Sequence, residues 1–158
     1  RHAGLAARQY AIDNAHRIKG LGPNSWGMSA CISPTKGYSG EYGSYPIGAG
    51  YKLLEDGTVA PYGALSFLPF TPKESIDALN HMYKIPGLVG KYGLYDAYSY
   101  VTKANGDLPW IGKSYLGIDK GLVLLMFENY STQLIWKLLH QNKSIQKGLK
   151  RLAFSQTN

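Results

Sequence analysis

Ten carboxylates and thirteen tyrosines are the side chains in this sequence with the most chemistry to offer. Two carboxyl groups perform general acid–base work when one is kept protonated and the other ionised, and their surroundings decide which is which. Several of the ten have a simpler use. Glu74 falls at the third position of a helix start, Asp77 lies within that helix away from its apolar face, and Asp13 and Asp107 sit in polar stretches. Glu41, Glu55, Asp56, Asp96, Asp119 and Glu128 remain. Asp96 stands out. It lies in a loop segment between Tyr95 and Ala97 with Tyr92 and Tyr98 close by, and a carboxyl among aromatic rings is desolvated and its pKa tuned. An aspartate there also serves to cap a helix or anchor its loop, and both uses stay open. Asp119 precedes an apolar helix and reads as its cap. Asp56 before Gly57 reads as turn chemistry. Glu128 closes an apolar run, so it should be partly buried and engaged by a ligand or an ion-pair partner.

The aromatic residues of the loops form the second candidate set. Trp26, Tyr38, Tyr42, Tyr95 and Trp110 offer flat apolar faces with a polar tip, which suits polyhydroxylated ligands and equally suits pinning loops to helices. Other chemistries find no support. His2, His16, His81 and His140 are not spaced with another histidine or acid as metal ligands, so no metal is expected. Cys31 is the single cysteine, which excludes an intrachain disulfide, and no nucleophile elbow or base surrounds it. No phosphate-binding glycine motif is present, so no cofactor is expected. The net charge of +7 raises the question of nucleic acid. The densest basic stretch, Lys143, Lys147, Lys150 and Arg151, has helical spacing and reads as a solvated helix end, so no nucleic-acid partner is expected. The longest apolar run, Leu122 to Phe127, is far short of the ~20 residues of a membrane span.

The elements that must position these residues read as helices separated by long loops. Residues 3–18 carry good helix formers and no proline, and Gly20, Gly22 and Pro23 stop them. Residues 22–62 are dense in glycine, proline and tyrosine without being polar enough for disorder, as a functional loop is. A short hairpin is possible around Tyr51 to Val59. Thr71-Pro72-Lys73-Glu74 has the pattern of a capping box with proline at the first helical position, and Ile76, Leu79, Met82 and Tyr83 share the apolar face that follows. Residues 87–118 form a second aromatic loop region. Asp119 opens a helix that is apolar all round and therefore predicted to be buried on every side. An amphipathic helix around Leu134 to Leu139 follows, and Asn142 caps a last helix over 143–152. The fold class so predicted is all-α with long Gly/Tyr-rich loops.

Six strings, in order, carry a resemblance. They are Asn24-Ser25-Trp26-Gly27, Asp56-Gly57-Thr58-Val59-Ala60-Pro61, Leu68-Pro69-Phe70-Thr71-Pro72, Tyr92-Gly93-Leu94-Tyr95-Asp96-Ala97, Tyr115-Leu116-Gly117-Ile118-Asp119-Lys120-Gly121, and Leu124-Leu125-Met126-Phe127-Glu128-Asn129-Tyr130. From about residue 5 to residue 154 the chain resembles the bacterial glucoamylase-like domain family, which includes endo-β-1,2-glucanases and a domain of cyclic β-1,2-glucan synthases. It departs from the family at Met28 to Gly37, which lacks the acidic residue that family members often carry before the tyrosine equivalent to Tyr38.

The resemblance implies an (α/α)6 toroid around a carbohydrate-binding cleft, with residues 1–158 as the C-terminal portion of a single such domain and the remainder of the toroid upstream. It implies a glycoside hydrolase acting on a glucan, β-1,2-linked by preference, through general acid–base hydrolysis, with Asp96 as general base, or as second choice general acid, and its partner carboxylate upstream of residue 1. Trp26, Tyr38, Tyr42, Tyr95, Trp110 and Glu128 would then contact an oligo- or polysaccharide. The alternatives are a non-catalytic carbohydrate-binding module and a glucan transglycosylase domain. A periplasmic or extracellular setting is implied by the family, and no signal segment is visible in this chain.

Overall fold

The structure is a computed structural model that describes residues 1–35, 37–40, 56–103 and 107–155. Its first helix, α1 (His2–Asp13), buries Gly4, Ala7 and Ala11, a stripe of small residues at helical spacing. The helix lies so close to its neighbour that a Cβ on Gly4 would stand 2.8 Å from the Phe67 ring. It stops earlier than its composition predicts. The Asn14 side-chain amide donates to the Tyr10 carbonyl, closing the last turn, and residues 14–19 continue as turns.

The segments predicted as loops contain three small antiparallel sheets, so the all-α expectation is corrected: the fold combines helices with sheets. β1 (Cys31–Ser33) pairs with β2 (Gly37–Ser39). β3 (Thr58–Val59) leads into the short helix α2 (Pro61–Leu65), which has proline at its first position. α3 (Pro72–Met82) follows, then the hairpin β4 (Val89–Gly90) and β5 (Gly93–Leu94). β6 (Ala97–Lys103) pairs with both β3 and β7 (Pro109–Gly112) in a three-stranded sheet ordered β3-β6-β7. Aromatic and β-branched residues at 98–101 favour this pleated surface over helix. Of the hairpin expected around Tyr51 to Val59, Thr58 and Val59 form β3, which pairs with the distant β6 and not with a neighbouring strand; residues 51–55 lie outside the described residues.

α3 begins where predicted but on different chemistry. Thr71 makes no side-chain cap; its Oγ1 bonds to the Phe67 carbonyl at 3.3 Å and to Ser75 Oγ at 3.2 Å. The buried face is Ser75, Ala78 and Met82, while Ile76 and Tyr83 are exposed. Small residues win that face because α3 packs closely on α2, with Ser75 Oγ donating to the Ala64 carbonyl at 3.0 Å.

α4 (Gly117–Ser131), α5 (Leu134–Gln141) and α6 (Lys143–Arg151) complete the chain. Asn142 caps α6 as predicted, accepting from the backbone N–H of Ser144 and Ile145. The expectation that the apolar α4 is buried on every side does not hold. Leu124 is 70% exposed, Leu122 and Leu125 are also open to solvent, and the residues it buries are Asp119 and Asn129. The described residues place neighbours on only part of its circumference. The core lies instead between α1, α2, α3 and the β3-β6-β7 sheet, around Trp26, Val59, Met82, Leu88 and Tyr98. Tyr98 and Ser25 share a buried hydroxyl–hydroxyl hydrogen bond of 2.7 Å there.

The loop carrying Trp26 is locked by two glycines. Gly27 has φ +106°, a conformation other residues resist, and a Cβ on it would stand 2.6 Å from the Ala64 nitrogen. A Cβ on Gly63 would run into the Gly27 carbonyl. Gly63→Ala should therefore lower stability by about 1–3 kcal/mol, the usual cost of forcing extra volume into a packed site. Gly121→Ala, at an unobstructed position inside α4, should be neutral or slightly stabilising. Urea midpoints of the two variants would check both; equal midpoints would remove the claim that this contact organises the loop.

Candidate active site

Asp96 enters the interior between β5 and β6, with its backbone N–H bonded to the Gly112 carbonyl of β7. Its side chain crosses to the β1 hairpin, where Oδ2 accepts from the Ile32 N–H at 2.7 Å. The residue is 2% exposed, and Oδ1 receives no N–H or O–H hydrogen bond among the described residues. Asp119, in the first turn of α4, is 5% exposed. It does not cap the helix, and its Oδ2 is likewise without a donor. The two carboxyls are close enough to act on each other. Burial, first, and then the hydrogen bond to Asp96 and its charge push Asp119 up to about 7; neighbouring Lys120 opposes the shift.

The surroundings of the pair are mostly neutral. Burial raises the Cys31 thiol well above its ordinary value, and the charges of Asp96, Asp56 and Asp119 add to that, so Cys31 is a packing residue and not a thiolate. Trp110 is half-buried beside it, against the cluster of Cys31, Ala60 and Ala97. Lys120 donates to the Leu94 carbonyl and lies 5.7 Å from the centre of the Tyr115 ring. Burial lowers its pKa, and the two aspartates pull the other way.

Beside the pair runs a groove of about 510 Å³ whose walls include Tyr62, Tyr83, Tyr92, Tyr115, Lys120 and Phe127. Tyr115 packs on Tyr95 at 4.9 Å and edge-on against Tyr92 at 5.4 Å between ring centres. Gly90 leaves the space these rings fill, since a Cβ there would collide with Tyr115 and Tyr95. Lys120 and Tyr62 line the groove and also feel the Asp119 charge, so groove and carboxyl pair adjoin.

The residues singled out from sequence scatter. Asp96, Tyr95 and Trp110 fall at or near this centre. Trp26 is fully buried, 6.3 Å from Phe67 between ring centres, and reaches no surface that a ligand could touch. Tyr38 is exposed on β2, and Tyr42 lies outside the described residues. Glu128 is half-buried but bonds locally, accepting from Thr132 Oγ1 at 2.5 Å, and sits nine residues along α4 from Asp119, about 13 Å away. Sequence reasoning passed over Asp119, Lys120, Tyr62, Tyr83 and Tyr115 as site residues. Asp119, Lys120 and Tyr115 did lie in one of the family-like strings, which was the available signal. Among the described residues no cluster of three or more metal-ligating side chains occurs, and no helix is long and apolar enough to cross a membrane.

Comparison with known proteins agrees with this architecture. The Glycoamylase family profile, whose members are described as glucoamylases, matches residues 1–143. The chain is 31% identical over 147 residues to the exo β-1,2-glucooligosaccharide sophorohydrolase of Parabacteroides distasonis, covering 92% of this chain and 18% of that protein. Its structure is similar to the endo-β-1,2-glucanase from Chitinophaga pinensis solved with sophorotriose and glucose, with a TM-score of 0.76 and 36% identity over 97% of this chain and 34% of that one. It is also similar to the β-1,2-glucanase from Parabacteroides distasonis, with a TM-score of 0.73 and 30% identity over 93% of this chain and 19% of that one. The chain thus spans about a third or less of the length of these relatives. With a family profile matched over most of its length and relatives above 30% identity, the chain belongs to the glucoamylase-like family.

Proposed function

We propose that this chain is part of a glycoside hydrolase acting on β-1,2-linked glucan, in which Asp96 is the general base. The observation that carries the proposal is the buried Asp96–Asp119 pair beside a tyrosine-lined groove, in a chain whose relatives are β-1,2-glucanases and a sophorohydrolase. In an inverting hydrolysis the base takes a proton from water, the water oxygen attacks the anomeric carbon, and a second carboxylic acid protonates the departing oxygen. The hydrogen bond from the Ile32 N–H fixes the direction in which the Asp96 carboxyl points, as the positioning of a base requires. Because Asp96 is almost covered, the water it activates must be admitted to its pocket. Tyr92, Tyr95 and Tyr115 would present rings to the sugar C–H faces. The acid that serves the leaving group would be supplied by the longer protein.

The wider architecture follows from the same comparison. We assign residues 1–158 to the C-terminal portion of a single (α/α)6 toroid, with α4 as an inner helix whose bare side meets helices supplied by the remainder of the domain. Leu122 and Leu125 of α4 and Leu134, Leu138 and Leu139 of α5 are all exposed, more apolar surface than isolated exposed residues account for. The 158-residue chain should therefore bind a hydrophobic dye or self-associate, and the longer protein should do neither. A monomeric, dye-silent 158-residue chain would show that this face needs no cover.

One observation favours a different use of Asp96. The bond from Ile32 pins the β1 hairpin to the β6 edge, which is a structural task. The Asp96→Asn variant separates the two, since the amide oxygen still accepts from Ile32 but the group no longer titrates. In the full-length protein, turnover of β-1,2-glucooligosaccharide should fall by about 10²–10⁴, the usual contribution of general acid–base catalysis, with melting temperature and substrate affinity little changed. A lowered melting temperature with modestly reduced turnover would make Asp96 an anchor only.

A further inference from the structure

We propose that Tyr92, at the tip of the β4–β5 hairpin, is the platform on which one sugar ring of the substrate stacks, and that Tyr115 is the positioning residue that holds Tyr92 in place; this rests on the glucan reading of the groove. The hairpin has little to hold itself with. Its strands are two residues each, Val89 opposite Leu94 and Gly90 opposite Gly93, and a two-stranded ribbon alone is marginal in water. Lys91 and Tyr92 make the turn, and Gly93 follows at φ +88°, the left-handed conformation that glycine adopts freely. The order of the tip must come from outside the hairpin.

Tyr115 supplies it. The residue lies between β7 and α4, and its hydroxyl accepts the Tyr92 backbone N–H at 3.2 Å. Its ring meets the Tyr92 ring edge-on at 5.4 Å and the Tyr95 ring at 4.9 Å between centres. Tyr95 is tied to the base of the hairpin, its N–H donating to the Leu88 carbonyl at 2.8 Å. Three rings thus run from the base of the hairpin to its tip. Gly90 makes the row possible. A Cβ on it would collide with the Tyr115 hydroxyl and stand 2.5 Å from Tyr95 Cζ. Its backbone is not in the left-handed region, so glycine is needed there for space and not for conformation.

What the row presents outward is Tyr92. It is 69% exposed, where Tyr95 and Tyr115 are half-buried, and it lines the groove. Lys91 Nζ lies 5.2 Å from the centre of the ring, a cation drawn to the same electron-rich face that sugar C–H groups use. A ring already fixed in direction loses little freedom when a ligand stacks on it, so more of the contact appears as affinity. The rest of the groove suits a neutral polyol. Its described walls are phenols and apolar side chains, with Lys120 the single charged group among them.

Steady-state kinetics of the full-length protein with β-1,2-glucooligosaccharide tests the proposal. Tyr92→Ala should raise KM about fivefold or more, the scale of a lost aromatic contact, with kcat little changed. Tyr115→Phe keeps the ring and removes the acceptor. It should raise KM about 2–10-fold, the worth of one hydrogen bond, with kcat and melting temperature nearly constant. The double variant should have the KM of Tyr92→Ala alone, because a residue that acts through another then has nothing to position. By hydrogen exchange, the Tyr92 amide should open faster in Tyr115→Phe while the α3 amides stay as they were. A normal KM in Tyr115→Phe would overturn the proposal, and so would additive effects in the double variant, which make Tyr115 an independent sugar contact. A wild-type protein that does not turn over β-1,2-glucooligosaccharide would remove the glucan reading and this proposal together. Wild-type turnover with an unmoved KM in Tyr115→Phe would remove this proposal alone.

Discussion

A buried carboxylate is tolerated only where its charge is met, and in this chain the burial of Asp96 fixes how three elements come together. Its backbone N–H reaches β7, its Oδ2 takes the Ile32 N–H from β1, and its charge acts on Asp119 of α4. Each hydrogen bond to a charged group contributes about 1.5–3 kcal/mol. Leaving a buried charge without partners costs several kcal/mol. The second figure exceeds the first, so the constraint acts mainly by forbidding arrangements in which β1, β6 and α4 fail to converge. The tight glycine contact of Gly27 with Gly63 acts in the same way, by setting how closely the Trp26 loop can lie on α2.

Local chemistry was the part of the fold most legible in the sequence. The proline start of α3, the Asn142 cap of α6 and the division between α4 and α5 follow from capping and turn rules that act within a few residues. Five strands, β1 to β5, are two or three residues long, too short for any alternation to register, and the longer β6 lies in the tyrosine-rich stretch that composition marks as loop. Thr71 shows a rule overridden by packing: the capping pattern is present, but a buried hydroxyl on the core side finds the Phe67 carbonyl and Ser75 nearer than the helix N–H groups. The exposed flank of α4 has a third cause. Composition says that an apolar helix wants neighbours all round, and says nothing about whether this chain supplies them.

The site divides along the same line. Asp96 was recognisable because its aromatic company is contiguous in sequence. Asp119 was read as a helix cap because its local context is that of a cap, and only a residue 23 positions away gives it another partner. Trp26 was assigned a ligand role on its loop position alone. Its neighbours Gly27 and Gly63 bring the backbone close enough to bury the indole completely, a tertiary effect with no signature in a linear pattern. Tyrosines at 62, 92 and 115 take the groove instead, a difference with chemical meaning, since each phenol adds a hydroxyl that donates or accepts where indole only donates.

α4 connects all of this. Its first turn carries Asp119 and Lys120, its middle gives Val123, Leu124 and Phe127 to the groove, and its other flank is bare. A helix is stiff over its length, so whatever packs on the bare flank also sets where the first turn stands relative to Asp96. Interiors transmit displacement because they are close-packed. A shift of α4 by a fraction of an ångström would change the separation of the two carboxyls and so the influence of each on the other. The chemistry of the pair is thus tied mechanically to the apolar face behind it, and that face is where relatives roughly three times as long or longer have further chain to place.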